Sequence, residues 1–282
     1  MKRFEGSVFR PPSEGGSLII QATIGCSHNR CRFCTMYKDK QFRIKSTDKI
    51  IEELKEVEPY SFHYKRLFLG DGDAMGMPTK DLLKILRYIR EEMPGIERVG
   101  VYAHGKNLLE KSMEELKELR ANGLGIVYVG LESGSEEVLQ VMDKGISVEE
   151  CIKGSVRAKE AGMELSVMLI SGLGGKRFLR EHAVDSARAV SRIDPTYLSF
   201  LSVLVEENSG ISEDIANGRF QLLEAEEALE ESRIFLEEVD LEDTIFRSNH
   251  TSDYLPLEGV LGRDRDKLLR KLSNVIEKKK YR

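Results

Sequence analysis

The chain has 282 residues, 40% of them hydrophobic and 32% charged, a globular composition at a length that suits one α/β domain with extensions. Its longest apolar runs, such as "VGVYA" and "LSVMLI", are too short to span a bilayer, so no membrane partner is expected. The start "MKRFEGSVFRPPSEGGS" is basic but carries no apolar segment, which argues against a signal peptide and for a cytoplasmic, reducing location in which disulfides do not persist.

In chain order, residues 1–16 read as an N-terminal extension, after which apolar and β-branched runs alternate with helical patterns. Strands are predicted at 17–23, 66–70, 98–103, 125–132, 164–172 and 196–203, with helices between them at 47–57, 79–93, 112–122, 147–161 and 177–192. "SMEE" at 112–115 fits a capping box, and "ANG" at 121–123 a helix stop. Six strands, each followed by a helix or crossover, predict parallel βαβ units, and runs as continuous as "SLII" and "VMLI" fit strands covered on both faces. Six units fall short of the eight of a complete barrel, so the expected fold is an α/β partial (β/α)6 TIM-like barrel over residues 17–205. A mainly helical C-terminal extension over 206–282, with helices at about 222–238 and 264–279, is expected to cap it.

The net charge of −5 is unevenly spread: residues 224–243 carry ten acids against Arg233 alone, and residues 263–282 carry nine Lys or Arg against three acids. Such runs are expected to be solvated helix faces. The basic one has no interleaved aromatics, so it does not argue for a nucleic-acid partner.

In parallel α/β folds the chemistry lies where strands hand over to loops at their C-terminal ends. Three clustered cysteines follow the first predicted strand, "GDGDAMG" (70–76) the second, "AHGKN" (103–107) the third, "ESGSEE" (132–137) the fourth and "SGLGG" (171–175) the fifth, so all are expected on one rim. Cys26, Cys31 and Cys34, separated by four and then two residues, read as a metal site, because so short a loop can wrap one soft centre but cannot also bury a core. Two centres fit. Zinc would take His28 as a fourth ligand in a closed tetrahedron, whereas a 4Fe-4S cubane would take one thiolate per iron and leave the fourth iron open. Cys151, in a predicted helix, reads as a packed core thiol.

Three cysteines after the first strand of a partial barrel, with Phe33 just before the last, resemble the cluster loop of the radical S-adenosylmethionine (radical SAM) superfamily, in which the usual spacing is three and then two. "FLGDGDAMGMP" (68–78) resembles that family's glycine-rich loop for the methionyl amino group. "VGLESGSEEVLQVMDKG" (129–145) is close to the segment after strand four in oxygen-independent coproporphyrinogen oxidases and their heme-chaperone relatives, and "VMLISGLGG" (167–175) to the adenine-binding strand. The resemblance covers roughly residues 17–205.

The resemblance implies a 4Fe-4S cluster on Cys26, Cys31 and Cys34, and S-adenosylmethionine on the rim loops. Gly70, Asp71, Gly72 and Asp73 would cradle its amino group, Glu132 would take the ribose hydroxyls, Lys144 the methionyl carboxylate, and Phe33 with Ile170 to Gly172 the adenine. It also implies an oxygen-sensitive enzyme with a reductant such as flavodoxin or ferredoxin, which cleaves S-adenosylmethionine to a 5′-deoxyadenosyl radical that abstracts hydrogen from a substrate the sequence does not identify. His104 and Tyr102 are the candidate catalytic residues, with Lys106 beside them, while Arg247, His250 and Tyr254 lie in a segment that could close over the barrel mouth. His63 and His182 are expected to have no catalytic part. No second cysteine cluster is present, which disfavours methylthiolation. The alternatives are a non-catalytic carrier of the heme-chaperone kind, cleavage of a different carbon-sulfur bond, or a zinc-stabilised interaction domain on Cys26, His28, Cys31 and Cys34.

Overall fold

The computed structural model describes residues 4–280. The backbone forms two compact units. The first holds the residues up to Asn29, Met36–Val129 and Gly154–Leu165; the second holds Arg30–Thr35, Gly130–Lys153 and the residues from Ser166 on.

The first unit contains β1 (Leu18–Gln21), β2 (Thr23–Ile24), β3 (Arg43–Ile44), α1 (Thr47–Val57), β4 (Arg66–Gly70), α2 (Thr79–Glu92), β5 (Arg98–Ala103), α3 (Gly105–Glu110), α4 (Met113–Ala121) and the residues of β6 (Leu124–Glu132) up to Val129. Strands β1, β4, β5 and β6 pair in parallel, with Ile19 opposite Phe68, Leu69 opposite Val101 and Val101 opposite Val127. Both faces are covered, which is why β4 reads as an unbroken apolar run: Leu67, Phe68 and Leu69 are all fully buried. Helix α1 is amphipathic, burying Ile50, Leu54 and Val57 at the i, i+4, i+7 spacing, and α2 buries Leu82, Leu86 and Ile89. Ser46 caps α1 by accepting from the Lys49 amide, and Ser112 with Glu115 forms the expected capping box on α4. The predicted first strand is shorter than expected. The ladder to β4 ends at Gln21, after which the Ala22 N–H still donates to the Gly70 carbonyl while Lys45 N–H donates to the Ala22 carbonyl (3.1 Å), and β2 pairs with β3 in a small antiparallel ribbon.

Just before β1, a single turn at Pro12–Glu14 brings the wholly buried Glu14 carboxylate to the N-terminal ends of the strands. It accepts from the hydroxyls of Ser17 and Tyr128 and from Arg98 at 2.7 Å, and Arg98 also reaches Glu164 at 3.0 Å. Part of the N-terminal extension expected at 1–16 and the last residues of the basic tail lie outside the described residues.

The second unit contains α5 (Glu136–Val141), the start of α6 (Val148–Glu160), β7 (Glu164–Ser171) from Ser166 on, α7 (Leu179–Ile193), β8 (Tyr197–Ser202), α8 (Gly210–Ala216), α9 (Ala225–Glu238), β9 (Ile245–Ser248), β10 (Leu257–Val260) and α10 (Leu261–Lys280). β7, β8 and β9 pair in parallel, and β10 returns antiparallel to β9. Its core centres on Phe200, which meets Phe235 edge-on at 4.6 Å and Phe246 at 5.2 Å between ring centroids.

The α/β class and the helical C-terminal region agree with expectation, and six of the strands fall where the apolar runs predicted them. β9 and β10 are additions: four residues each, they are too short to show a period of two against a polar background. Helices α3, α5 and α8 also escaped prediction, having six or seven residues and so less than two turns. No described helix is long and apolar enough to cross a membrane.

Replacing Glu14 by Ala leaves Arg98 with Glu164 and takes the shared acceptor from the Ser17 and Tyr128 hydroxyls, and removal of one partner of a buried pair costs about 3 kcal/mol. Urea unfolding should show the midpoint falling accordingly, with Glu14→Gln intermediate; an unchanged midpoint would mean that the network contributes nothing net.

Candidate functional site

In the first unit the residues around the first thiol are fixed by Asp71. Its buried carboxylate accepts through Oδ2 from Gln21 Nε2 (2.9 Å), the Gly25 amide (3.0 Å) and Lys40 Nζ (2.7 Å), and so pins the backbone that enters the thiol loop at Cys26. Gly72 follows, its amide donating to the Gly25 carbonyl at 3.1 Å. A Cβ there would lie 2.9 Å from Cys26 Cβ and 2.8 Å from the Tyr37 ring, so only glycine lets the loop after β4 approach the thiol. Asp73 is buried as well, and its Oδ1 has no hydrogen-bond partner in the structure. Burial pushes its carboxyl up to about 6, against the lowering effect of the Ser27 hydroxyl, the Asn107 side chain and the Gly76 amide.

His104 is the N-cap of α3, where the Asn107 side chain accepts from its backbone amide at 2.9 Å; its ring stacks on His28 at 6.2 Å. Tyr102 packs edge-on against Phe68 (5.1 Å) and Tyr128 (6.2 Å). Gly70 ends β4. The candidates Cys26, Gly70 to Asp73 and His104 thus sit on successive loops after β2, β4 and β5, as expected of the C-terminal strand ends.

Cys31, Phe33 and Cys34 belong to the second unit. Their loop is held by a segment in which the sequence shows no site. Arg32 Nε donates to Asp214 on α8 at 2.8 Å and its other nitrogen to the Gly210 carbonyl at 3.0 Å, while its backbone pairs with Met142 and Ile211. Phe33 packs, with Ile170, against a cluster of Val138, Met142, Leu173, Ile211 and Phe220. Beside that cluster lies a cavity of about 820 Å³ rimmed by Arg32, Lys176, Arg177 and Arg219.

Glu132 and Lys144, given separate roles by resemblance, are ion-paired at 3.0 Å and both largely buried. Glu132 adopts a left-handed backbone (φ 66°) at the end of β6. Burial alone would lower the Lys144 ammonium's pKa, but Glu132 and the charge of Cys31 outweigh it and hold it above its ordinary value.

The turn after β7 is gripped from two helices. His182 of α7, dismissed on sequence grounds, is buried and bridges the Ile170 carbonyl (Nε2, 3.0 Å) and the Ser133 hydroxyl (Nδ1, 2.8 Å). A carbonyl only accepts, so Nε2 donates to Ile170. Glu231 of α9 accepts from the Gly172 amide and the Ser171 hydroxyl, each at 2.8 Å through Oε1. Burial pushes its carboxyl up, while His182 and these two donors act the other way. Glu231 corrects the reading of 224–243 as a purely solvated face.

Arg247, His250 and Tyr254 do not converge on a pocket. The segment is organised instead by Asp253, which accepts from Ser202, Ser248 and the His250 amide, and Tyr254 is exposed. Cys151 is buried. Among the described residues, no three His, Cys, Asp or Glu side chains are grouped so as to hold a metal ion. The donor chemistry nonetheless suits an iron-sulfur cluster: Cys26, Cys31 and Cys34 are half-buried thiols outside any disulfide. The orphaned Asp73 Oδ1 is an acceptor of the kind an ammonium group would satisfy.

The model of the Radical SAM superfamily matches residues 20–185, more than half of the chain. An uncharacterised methyltransferase of Pyrococcus horikoshii is 25% identical over 184 residues, which are 64% of this chain and 38% of that protein. The heme chaperone HemW of Bacillus subtilis is 23% identical over 178 residues, 62% of this chain and 46% of that one. The chain thus spans less than half of either relative. Among solved structures, coproporphyrinogen III oxidase (HemN) from Escherichia coli aligns with a TM-score of 0.57 at 19% identity, over 79% of this chain and 52% of that one, a likeness of fold.

Because Asp73's folded pKa lies above its ordinary 3.8, its contribution to stability is present below about pH 4 and lost as pH rises through about 6. The protein without cofactors should therefore lose on the order of 2 kcal/mol relative to Asp73→Asn between pH 4 and 7. Parallel denaturation profiles of the two proteins across that range would refute the assignment.

Proposed function

We propose, since the chain belongs to the radical SAM superfamily, whose cofactors are a 4Fe-4S cluster and S-adenosylmethionine, that it is a radical enzyme with Cys26, Cys31 and Cys34 as the three cluster ligands. The observation that carries the reading is the thiol loop itself, inside the matched span and followed by the Gly72 approach to Cys26. The chemistry supplied there is one-electron cleavage of the sulfonium to a 5′-deoxyadenosyl radical that takes hydrogen from a substrate.

The chain's own groups have definite tasks in this reading. Asp73 Oδ1 accepts from the methionyl ammonium. Lys144 reaches the methionyl carboxylate, exchanging part of its pairing with Glu132, whose carboxylate turns to the ribose hydroxyls. Asp71 is a strut for the Cys26 backbone through Oδ2 and offers Oδ1, which has no partner in the structure, to the same cradle. Phe33 and Ile170 offer apolar surface to the adenine. Its edge is read through the second lone pairs of the Ser171 and Gly172 carbonyls, which each accept one protein hydrogen bond, because the Ile170 carbonyl already accepts two and the Gly172 amide is taken by Glu231. Residues 17–205 form the catalytic barrel and 206–282 an extension whose α8 clamps the thiol loop through Arg32 and Asp214. A substrate and an external reductant, of the flavodoxin or ferredoxin kind, complete the reaction, with His104 and Tyr102 nearest to a substrate role.

A carrier is the second reading, favoured by the match to a heme chaperone. Anaerobic reconstitution with iron and sulfide, reduction with dithionite in the presence of S-adenosylmethionine, and mass spectrometry of the nucleoside separate the two. Release of 5′-deoxyadenosine supports the enzyme; heme retention without cleavage supports the carrier; iron-free protein returns zinc. Cys31→Ala should lose the four-iron cluster, and a variant still holding four irons per chain would contradict the ligand assignment. Gly72→Ala, by pressing on Cys26, should lower iron content by about half or more while leaving the fold's circular dichroism intact.

A further inference from the structure

Glu231 is the acid in the 224–243 run that folding takes wholly inside: it is 2% exposed, whereas Glu224, Glu226, Glu237 and Glu238 face solvent. Helix α9 packs against α7 and delivers its carboxylate to the turn after β7. There Oε1 holds two donors, the Ser171 hydroxyl and the Gly172 amide. Gly172 has φ 81°, so the turn bends through a left-handed residue at the very point where Glu231 grips it. At the other end of the same three residues His182 grips the Ile170 carbonyl.

The arrangement is expensive as a stability device. A buried carboxylate is costly unless fully compensated, and Glu231 Oε2 has no hydrogen-bond partner in the structure. Both of its hydrogen bonds go to one turn, at the point where the chain bends through Gly172, so what the side chain secures is the conformation of that turn. We propose that Glu231 is a positioning residue for the nucleoside end of S-adenosylmethionine: from the C-terminal extension it fixes the Ser171–Gly172 turn, and with it the line of carbonyls and the Ile170 side chain that the adenine meets. This rests on the reading of Ile170 to Gly172 as the adenine segment. Glu231 acts through the turn, not by touching the reacting atoms.

The test uses the reconstituted holoprotein and two probes. S-adenosylhomocysteine, which carries the nucleoside and is not cleaved, reports on the adenine segment by equilibrium dialysis. Methionine lacks the nucleoside and is followed by its perturbation of the reduced cluster's electron paramagnetic resonance spectrum. Glu231→Ala removes both hydrogen bonds at the turn and should weaken S-adenosylhomocysteine about tenfold or more, with iron content and the methionine-induced spectral change as in the wild type. Glu231→Gln keeps an acceptor for both donors and should restore affinity to within about threefold. If the alanine variant does not fold, Glu231→Asp replaces it, since withdrawing the oxygen by one methylene should still cost about fivefold. A general structural role would instead weaken both probes together, and that outcome overturns the proposal.

Ile170→Ala separates the proposal from its premise. Should that variant lose S-adenosylhomocysteine affinity while Glu231→Ala and Glu231→Asp keep it, Glu231 is not a positioning residue though the segment does meet adenine. Should Ile170→Ala also bind like the wild type, the adenine segment lies elsewhere and the proposal falls with it.

Discussion

Burying a carboxylate removes it from water at a cost of several kcal/mol, recovered only where donors or a cation converge on it. Among the described residues the chain accepts that cost at Glu14, Asp71, Asp73, Glu132, Asp214 and Glu231, and each of these pins a strand end or a loop. Glu14 ties the N-terminal turn to Arg98 at the start of β5, Asp71 holds the backbone entering Cys26, and Asp214 holds Arg32 between Cys31 and Cys34. The loops that carry the thiols are therefore set by buried charge, because short loops without a core of their own have little hydrophobic surface with which to fix themselves.

The two ends of the first unit's strands use this device differently. At the N-terminal ends Glu14 is satisfied by Ser17, Tyr128 and Arg98, as a structural network should be. At the C-terminal ends Asp71 and Asp73 each keep one buried oxygen without a partner. These unmet carboxylate oxygens after β4 lie at the end where parallel α/β folds commonly place their chemistry.

In the second unit the same logic ties the residues after 205 to the thiol loop and to the turn after β7. Helix α8 clamps the thiol loop through Asp214, α9 reaches the turn after β7 through Glu231, and Asp253 fastens the segment after β9 to Ser202. His182 joins Ser133, next to Glu132, to the Ile170 carbonyl. Residues with no motif of their own thus decide where the motif residues stand.

The sequence by itself determined the α/β class, because strands buried on both faces leave apolar runs that local pattern reports, and helices such as α1 and α2 leave a 3.6-residue period. It determined the candidate thiols too, since Cys26, Cys31 and Cys34 lie within nine positions and need no folding to be noticed. Only the tertiary structure decided that Glu132 and Lys144 pair, that Gly72 is small because Cys26 and Tyr37 crowd it, and that His182 and Glu231 grip the turn after β7. These are contacts between residues far apart in the chain, and composition records no distance. Glu231 shows the limit most plainly: in a run of ten acids every carboxylate looks alike, and which one is drawn out of water depends on the rotation of a helix against its neighbours.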